Sequence, residues 1–338
     1  MRAFVLTGPR EFGVQDVPAP VARPGQVVVD IERVGVCGTD VEFFTGEMHY
    51  LHTGQAAYPM LLGHEWCGTV SSVGAGVDPS WLGRRTTGDT MLGCGECYRC
   101  RSGRHHVCGR RHEIGIRGGW RGALAEQLLV PAVALHALPD AVDVVAGALV
   151  EPGGNALRAV RGAALSPGMR VLVLGPGTIG LLAALFARAA GAQVHLMGRS
   201  ERSLGFARTL GFAGVWPGDG LPALAWDAVI DASNAPALPA RAVDLVEPGR
   251  RVVFVGLAGT PSTVDTRLLA LKDVTAVGIL GGSAGLAGAI EQYAAGAVDP
   301  RPLVAATVGL ERAGEVLGGW RPRDEVSAAP KIHVDPRI

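Results

Sequence analysis

The sequence predicts an α/β protein in which a doubly wound parallel sheet is joined to a β-rich domain, and three observations predict it. First, Met169 to Ser200 reads as strand, glycine turn, helix and strand. Second, strand and helix patterns alternate from about Val144 to Gly282, as a parallel sheet with crossover helices requires. Third, the residues before Val144 hold short β-prone runs punctuated by Gly and Pro, with no long helical period.

Within Met169–Ser200, Val171 to Leu174 is a branched apolar run, as expected of a parallel strand covered on both faces. Gly175, Gly177, Thr178, Ile179 and Gly180 follow in a G-x-G-x-x-G spacing that opens an alanine-rich helix. Such a turn lets the backbone approach a pyrophosphate, and the first helical N–H groups supply the positive end. The spacing alone is weak; its place between a strand and an apolar helix makes it a dinucleotide site. The next strand, Val194 to Met197, runs into Gly198, Arg199 and Ser200 with nothing acidic before Glu201. An NAD site usually carries a carboxylate there for the ribose 2′-hydroxyl, whereas a 2′-phosphate needs the carboxylate gone and an Arg nearby. The expectation is NADP(H), with Arg199 and Ser200 on the phosphate. The alternatives are that Arg199 is a solvated loop cation, or stacks on the adenine and accepts either cofactor. Later strands are expected at Ala228–Ile230, Arg251–Val255 and Val274–Ile279, the second ending in Gly256 and Leu257 beside the cofactor crevice.

The N-terminal domain is expected to contain strands at Ala3–Leu6, Val27–Val34, Thr69–Val73 and Glu126–Val130. The last 50 or so residues add a helix near Leu286–Ala295 and a terminal strand, Lys331–Val334. A chain of 338 residues is long enough for two cores, and its formal net charge of zero favours small-molecule chemistry over nucleic acid or anionic membrane. No signal-peptide run opens it and no segment reaches about 18 apolar residues, so a cytoplasmic protein is expected.

Six cysteines in such a chain point to metal ligands or reactive thiols before disulfides. Cys94, Cys97 and Cys100 make two C-x-x-C steps, and Cys108 follows a short loop later. Four thiolates so spaced close a tetrahedron around one Zn²⁺ and leave no place for substrate, which makes the site structural. A disulfide pair or an iron–sulfur cluster is the alternative. A second, dispersed set is Cys37 in V-C-G-T-D, His64 and Glu65 in G-H-E, and Glu151 in E-P. Catalytic zinc commonly takes three N, S and O donors and keeps a fourth place open. Cys67 reads as packing.

In this order, V-C-G-T-D, G-H-E, the four-cysteine lobe, E-P and G-P-G-T-I-G resemble a zinc-dependent member of the medium-chain dehydrogenase/reductase superfamily over essentially the full length. The resemblance implies a GroES-like catalytic domain over residues 1–147, a Rossmann cofactor domain over 148–283, and a return to the catalytic domain over 284–338. It implies Cys37 and His64 as the first two ligands of a catalytic zinc, one of Glu65 and Glu151 as another, and a second, structural zinc. It also implies that Thr39 passes a proton from the substrate alcohol and that Asp40 orients the histidine. Glu42 stands where many relatives carry a histidine, a departure in the outer proton path. The activity implied is hydride transfer between nicotinamide and a secondary alcohol or ketone, with a polyol, sugar-derived or aminocyclitol substrate expected from the glutamate-type ligand. A dimer or tetramer is implied as well. The loop Gly46–Pro59, rich in His and Tyr, suits hydroxyl recognition or an oligomer contact. The alternatives are an NAD-dependent threonine or alcohol dehydrogenase, a zinc-free enoyl or quinone reductase, and a catalytically silent NADPH-binding protein with structural zinc only.

Overall fold

A computed structural model describes residues 1–322 and 328–338. The chain divides into two units. Of the described residues, one unit contains 1–151, 290–322 and 331–338, and the other contains 152–289 and 328–330.

The second unit is built on six strands. Their order is Gly214–Pro217, Gln193–Gly198, Arg170–Leu174, Trp226–Asp231, Val246–Phe254 and Thr275–Gly278, and every neighbouring pair is parallel. The doubly wound sheet is therefore present. The chain winds outward from Arg170–Leu174 in one direction, then resumes on its other side at Trp226–Asp231. That reversal beside Arg170–Leu174 is where such sheets open a ligand crevice at their carboxyl ends. Val171 to Leu174 are fully buried, because helices cover both faces of a parallel sheet. Helix Thr178–Ala189 buries a continuous run from Gly180 to Ala187. On one face Leu172, Leu174, Trp226, Val229, Val243 and Val252 share a core.

The first unit holds a seven-stranded sheet. Its path is Val304–Gly309, Lys331–Asp335, Gln26–Gly35, Glu65–Val73, Arg85–Gly88 and Leu135–Ala137, with Gln127–Pro131 also paired to Gln26–Gly35. All pairings are antiparallel except the first. Phe4, Ile31, Phe43, Leu62, Trp66, Leu124 and Val334 anchor one core. Cys67 is fully buried; a Cβ on Gly147, in helix Val144–Ala148, would lie 2.6 Å from its Sγ. Burial pushes its thiol up to about 12, as a packing cysteine requires.

Among the described residues, seven strands escape the sequence pattern: Glu11–Asp16, Arg85–Gly88, Met91–Leu92, His112–Glu113, Leu135–Ala137, Gly214–Pro217 and Val304–Gly309. None is longer than six residues, and Gly214–Pro217, Val304–Gly309 and Leu135–Ala137 lie at sheet edges, where a short strand needs no continuous apolar run. No helix among the described residues is long and apolar enough to cross a membrane.

Candidate metal centres and dinucleotide turn

Cys37 ends the approach to helix Gly38–Thr45 and occupies its N-cap with extended backbone. His64 precedes the strand Glu65–Val73, and that strand pairs with Gln26–Gly35 so that Glu65 lies opposite Gly35. The pairing brings one donor atom from each of Cys37, His64 and Glu65 within 4.8 Å of the others. Asp40 ties the two loops together. Its Oδ2 accepts the Cys37 backbone N–H at 2.9 Å, its Oδ1 accepts that of Gly63 at 3.2 Å, and the same Oδ1 lies 3.5 Å from His64 Nδ1. This is the arrangement that fixes the orientation of a ligating imidazole. Burial alone would push the His64 ring down, but Asp40 and Cys37 outweigh it and hold its pKa well above the ordinary value.

Glu65 is 1% exposed, and both of its oxygens accept from Lys331 Nζ, at 2.9 and 2.6 Å. The same ammonium donates to the Val36 carbonyl at 3.0 Å. Burial opposes the lysine charge, and Glu65 more than restores it. Thr39 lies in the first turn of helix Gly38–Thr45, half-buried. Glu151 is buried in the first turn of helix Val150–Ala163 and falls outside the 4.8 Å cluster. Glu42, close to Glu47, is raised by burial and by that neighbour. A thiol, an imidazole and a carboxylate converging in a buried place form a donor set that suits Zn²⁺.

The other cysteines converge as well. Sγ–Sγ separations are 3.9 Å for Cys94–Cys100, 3.5 Å for Cys97–Cys100 and 3.8 Å for Cys97–Cys108. Bonded sulfurs would be about 2.05 Å apart, whereas four thiolates about 2.3 Å from one zinc stand about 3.8 Å from one another. Backbone N–H groups of Cys97 and Glu96 lower the Cys94 thiol to about 6, while desolvation and the Cys97 side chain push Cys100 up to about 11. Four sulfurs at this spacing form a donor set that suits a closed Zn²⁺ site. The lobe is moored by His105, whose Nε2 lies 2.6 Å from buried Asp89.

In the second unit, Gly175 turns the chain with φ 93°. A Cβ on Gly180 would lie 1.9 Å from the Gly175 carbonyl oxygen, so the helix can pack this closely on the turn only without a side chain. Gly177 caps the helix, and the N–H groups of Thr178, Ile179 and Gly180 occupy its first turn. Asp231 is buried and accepts from the backbone N–H and hydroxyl of Ser233, at 3.0 and 2.6 Å, fixing the loop beneath Gly175. Gly256 passes so close to that loop that its Cβ would sit 1.9 Å from the Ser233 carbonyl oxygen, and Leu257 beyond it is 78% exposed. Arg199 is exposed with no ion-pair partner among the described residues. Ser200 accepts from Ser203 N as the cap of helix Glu201–Thr209. Gly198 carries a constraint beyond cofactor choice, because its Cβ would lie 2.7 Å from Pro176 Cγ and 3.0 Å from Leu204 Cδ2.

Sequence reasoning missed Lys331 and the Asp89–His105 pair. The signal for Lys331 was present: a lysine in a short apolar strand, K-I-H-V-D, every residue of which is buried.

The alcohol dehydrogenase GroES-like domain model matches residues 23–140, and the zinc-binding dehydrogenase model matches residues 178–295. The 2-dehydro-3-deoxy-L-galactonate 5-dehydrogenase of Pseudoalteromonas atlantica is 32% identical over 329 residues, covering 94% of each chain. The L-threonine 3-dehydrogenase of Saccharopolyspora erythraea is 31% identical over 295 residues, covering 83% of this chain and 84% of that one. Among solved structures, a zinc-binding dehydrogenase of Sinorhizobium meliloti 1021 bound to NADP matches with a TM-score of 0.89 and 28% identity, covering 99% of both chains.

Proposed function

Because the chain belongs to the zinc-dependent medium-chain dehydrogenase/reductase family and is a zinc-dependent oxidoreductase, we propose that it transfers hydride between NADP(H) and a secondary carbinol of a polyol or sugar-derived substrate. The observation that carries this reading is the convergence of Cys37, His64 and Glu65 within 4.8 Å in a chain that also holds a dinucleotide turn. The proposed metal complement is two zinc ions, one on Cys94, Cys97, Cys100 and Cys108, the other on Cys37 and His64 with Glu65 or Glu151 completing the set.

A bound zinc of the second kind polarises the substrate oxygen and lowers the alcohol's pKa. The protein's own groups do the rest. Asp40 holds the Cys37 and His64 loops in register, as its contacts to Cys37 N and Gly63 N support. Thr39 lies two residues after Cys37, where its hydroxyl would relay the alcohol proton, accepting it while passing its own onward to solvent. Lys331 faces Glu65 and supplies the counter-charge for a carboxylate in a buried place. The backbone around Gly175, Gly177 and Gly180 takes the pyrophosphate, and Gly256 and Leu257 complete that crevice.

NADP(H) over NAD(H) rests on Arg199 and on the missing carboxylate at Gly198. The relatives named for a galactonate derivative and for threonine support a hydroxyl-bearing carbon chain as substrate class. A homo-oligomer is supported by the edge strand Thr275–Gly278, largely exposed and unpaired on its outer side among the described residues, with Leu271 85% exposed nearby in sequence. A cytoplasmic location completes the reading. A panel of polyols, hydroxy acids and ketones assayed with both cofactors tests it. Turnover of secondary carbinols with a higher kcat/KM for NADP⁺ is expected. NADPH binding without turnover of any carbinol by zinc-loaded protein would favour the silent-binder reading instead.

A further inference from the structure

The turn Glu113–Arg117 is closed by two backbone hydrogen bonds, Glu113 N to Arg117 O at 3.0 Å and Arg117 N to Glu113 O at 2.9 Å. It lies against the residues that present His64. Gly115, at φ 69°, packs so closely that its Cβ would be 2.7 Å from the Gly63 carbonyl oxygen. Next to it Ile114 N donates to Thr90 O at 3.0 Å, and the Thr90 hydroxyl donates to the His64 carbonyl at 3.2 Å. The same turn meets the loop Gly46–Pro59 from the other side. Tyr50 Oη is 3.4 Å from Glu113 Oε1, Arg111 Nη2 is 3.3 Å from Tyr50 Oη, and the Arg117 guanidinium lies 5.4 Å from the Tyr50 ring centroid.

The charges there do not balance. Glu113 is 3% exposed and accepts from Arg111 Nε at 2.7 Å, while Arg117 Nη1 remains 3.9 Å away. The two arginine side chains are only 13% and 17% exposed. Among the described residues no other carboxylate lies within ion-pair distance of either, so two guanidiniums share one anion. Arg111 is committed to Glu113 and Tyr50. Arg117 has no close partner for its planar fork, which matches a carboxylate with two parallel N–H···O bonds. Tyr50 holds that fork by its ring face.

We propose that Arg117, positioned by Tyr50 and by the Arg111–Glu113 pair, binds a carboxylate at the far end of the carbinol substrate, so that the enzyme selects hydroxy acids over neutral polyols. This rests on the dehydrogenase reading above and adds the charge class of its substrate. Because the turn is fixed to Gly63 and to the His64 carbonyl, the anion and the reacting oxygen would be held on one rigid piece of backbone, which is how a positioning contact raises kcat/KM.

The test compares wild type, Arg117→Met and Arg117→Lys on three probes of equal carbon length: a hexonate, the corresponding hexitol and the hexitol 1-phosphate. Calorimetric titration of the hexonate into zinc-loaded protein without nicotinamide is run beside it. Wild type is expected to favour the hexonate. Arg117→Met should lose roughly ten- to a hundredfold in kcat/KM on it, mostly through KM, as loss of a charge-assisted hydrogen bond predicts. The loss on the hexitol should be at least about tenfold smaller, and Arg117→Lys should recover only part of it. Equal losses on hexonate and hexitol would assign Arg117 a purely structural role and overturn the subsite while leaving the dehydrogenase reading intact. A wild-type preference for the hexitol 1-phosphate would overturn the carboxylate assignment. If no probe is turned over yet hexonate binding still weakens in Arg117→Met, the subsite stands and the dehydrogenase reading fails.

Discussion

Replacing Lys331 with Met removes the counter-charge of a carboxylate that has almost no contact with water. Glu65 and Lys331 side chains are 2% and 3% exposed, and the ammonium makes two bonds to the carboxylate and one to the Val36 carbonyl. Methionine fills most of the lysine volume, so the loss is electrostatic and not a cavity. Breaking a buried pair by removing one member costs about 3–5 kcal/mol, because the remaining charge keeps its desolvation penalty and loses its partner. At roughly 2–4 °C per kcal/mol for a domain of this size, the midpoint should fall by about 6–20 °C. The assay is differential scanning calorimetry of chelator-treated protein, with Lys331→Met/Glu65→Gln as the fourth corner of a cycle. The double variant should be more stable than Lys331→Met alone, since the unpaired charge is gone. A single-variant loss below about 1 kcal/mol, the range of an exposed pair, would refute the view that Glu65 is buried and dependent on Lys331.

His333 is fully buried, and neither ring nitrogen has a hydrogen-bond partner among the described residues. Burial, with Lys331 and Arg33 nearby, pushes the ring down to about 3. The unfolded ring titrates near 6.5, so below that pH the unfolded chain binds a proton that the folded chain refuses. Stability is therefore fully present above about pH 6.5 and is lost as pH falls toward about 3, by up to about 5 kcal/mol. His333→Leu should flatten that limb in denaturant titrations between pH 6.5 and 4.5; parallel wild-type and variant curves would contradict this. Arg199→Ala should weaken NADPH by roughly ten- to a hundredfold while barely changing NADH, read as kcat/KM for each cofactor, and equal losses would point to adenine stacking. Asp at Gly198 should not simply exchange the preference. It must first displace the Pro176 ring, 2.7 Å from its Cβ, at a cost of about 1–3 kcal/mol visible in the melting temperature of the apo protein. Cys97→Ser should open the four-sulfur lobe and lower thermal stability together with zinc content, because a structural metal contributes folding free energy; unchanged stability at full zinc would contradict a shared tetrahedron.

Much of this architecture was legible because its signals are local. The run Val171–Leu174, the glycine turn and the apolar helix each follow from a few adjacent residues, and the parallel sheet forms around them. The cysteine lobe spans fifteen residues from Cys94 to Cys108, short enough for spacing to express geometry. Cys37 and His64 were recognisable from their flanking motifs, although only the fold shows Asp40 joining their loops. Lys331 was visible as a lysine in an apolar strand, but its partner Glu65 was not legible, because that pairing depends on setting the C-terminal strand beside Gln26–Gly35, far away in sequence. The same holds for Arg117, whose relation to Tyr50 is made by a turn and a loop more than sixty residues apart. Gly198 shows the converse. Its missing side chain was read as cofactor selection, and the structure adds a steric demand from Pro176.

The central claim is that the two cysteine-containing clusters are separate metal sites, one holding the fold and one serving the chemistry. Zinc content per chain, measured by plasma emission on metal-loaded wild type, His64→Ala and Cys97→Ser in parallel with activity, tests it most directly. The account predicts two zinc ions in wild type and one in a folded but inactive His64→Ala. One zinc or none in active, fully loaded wild type would contradict it.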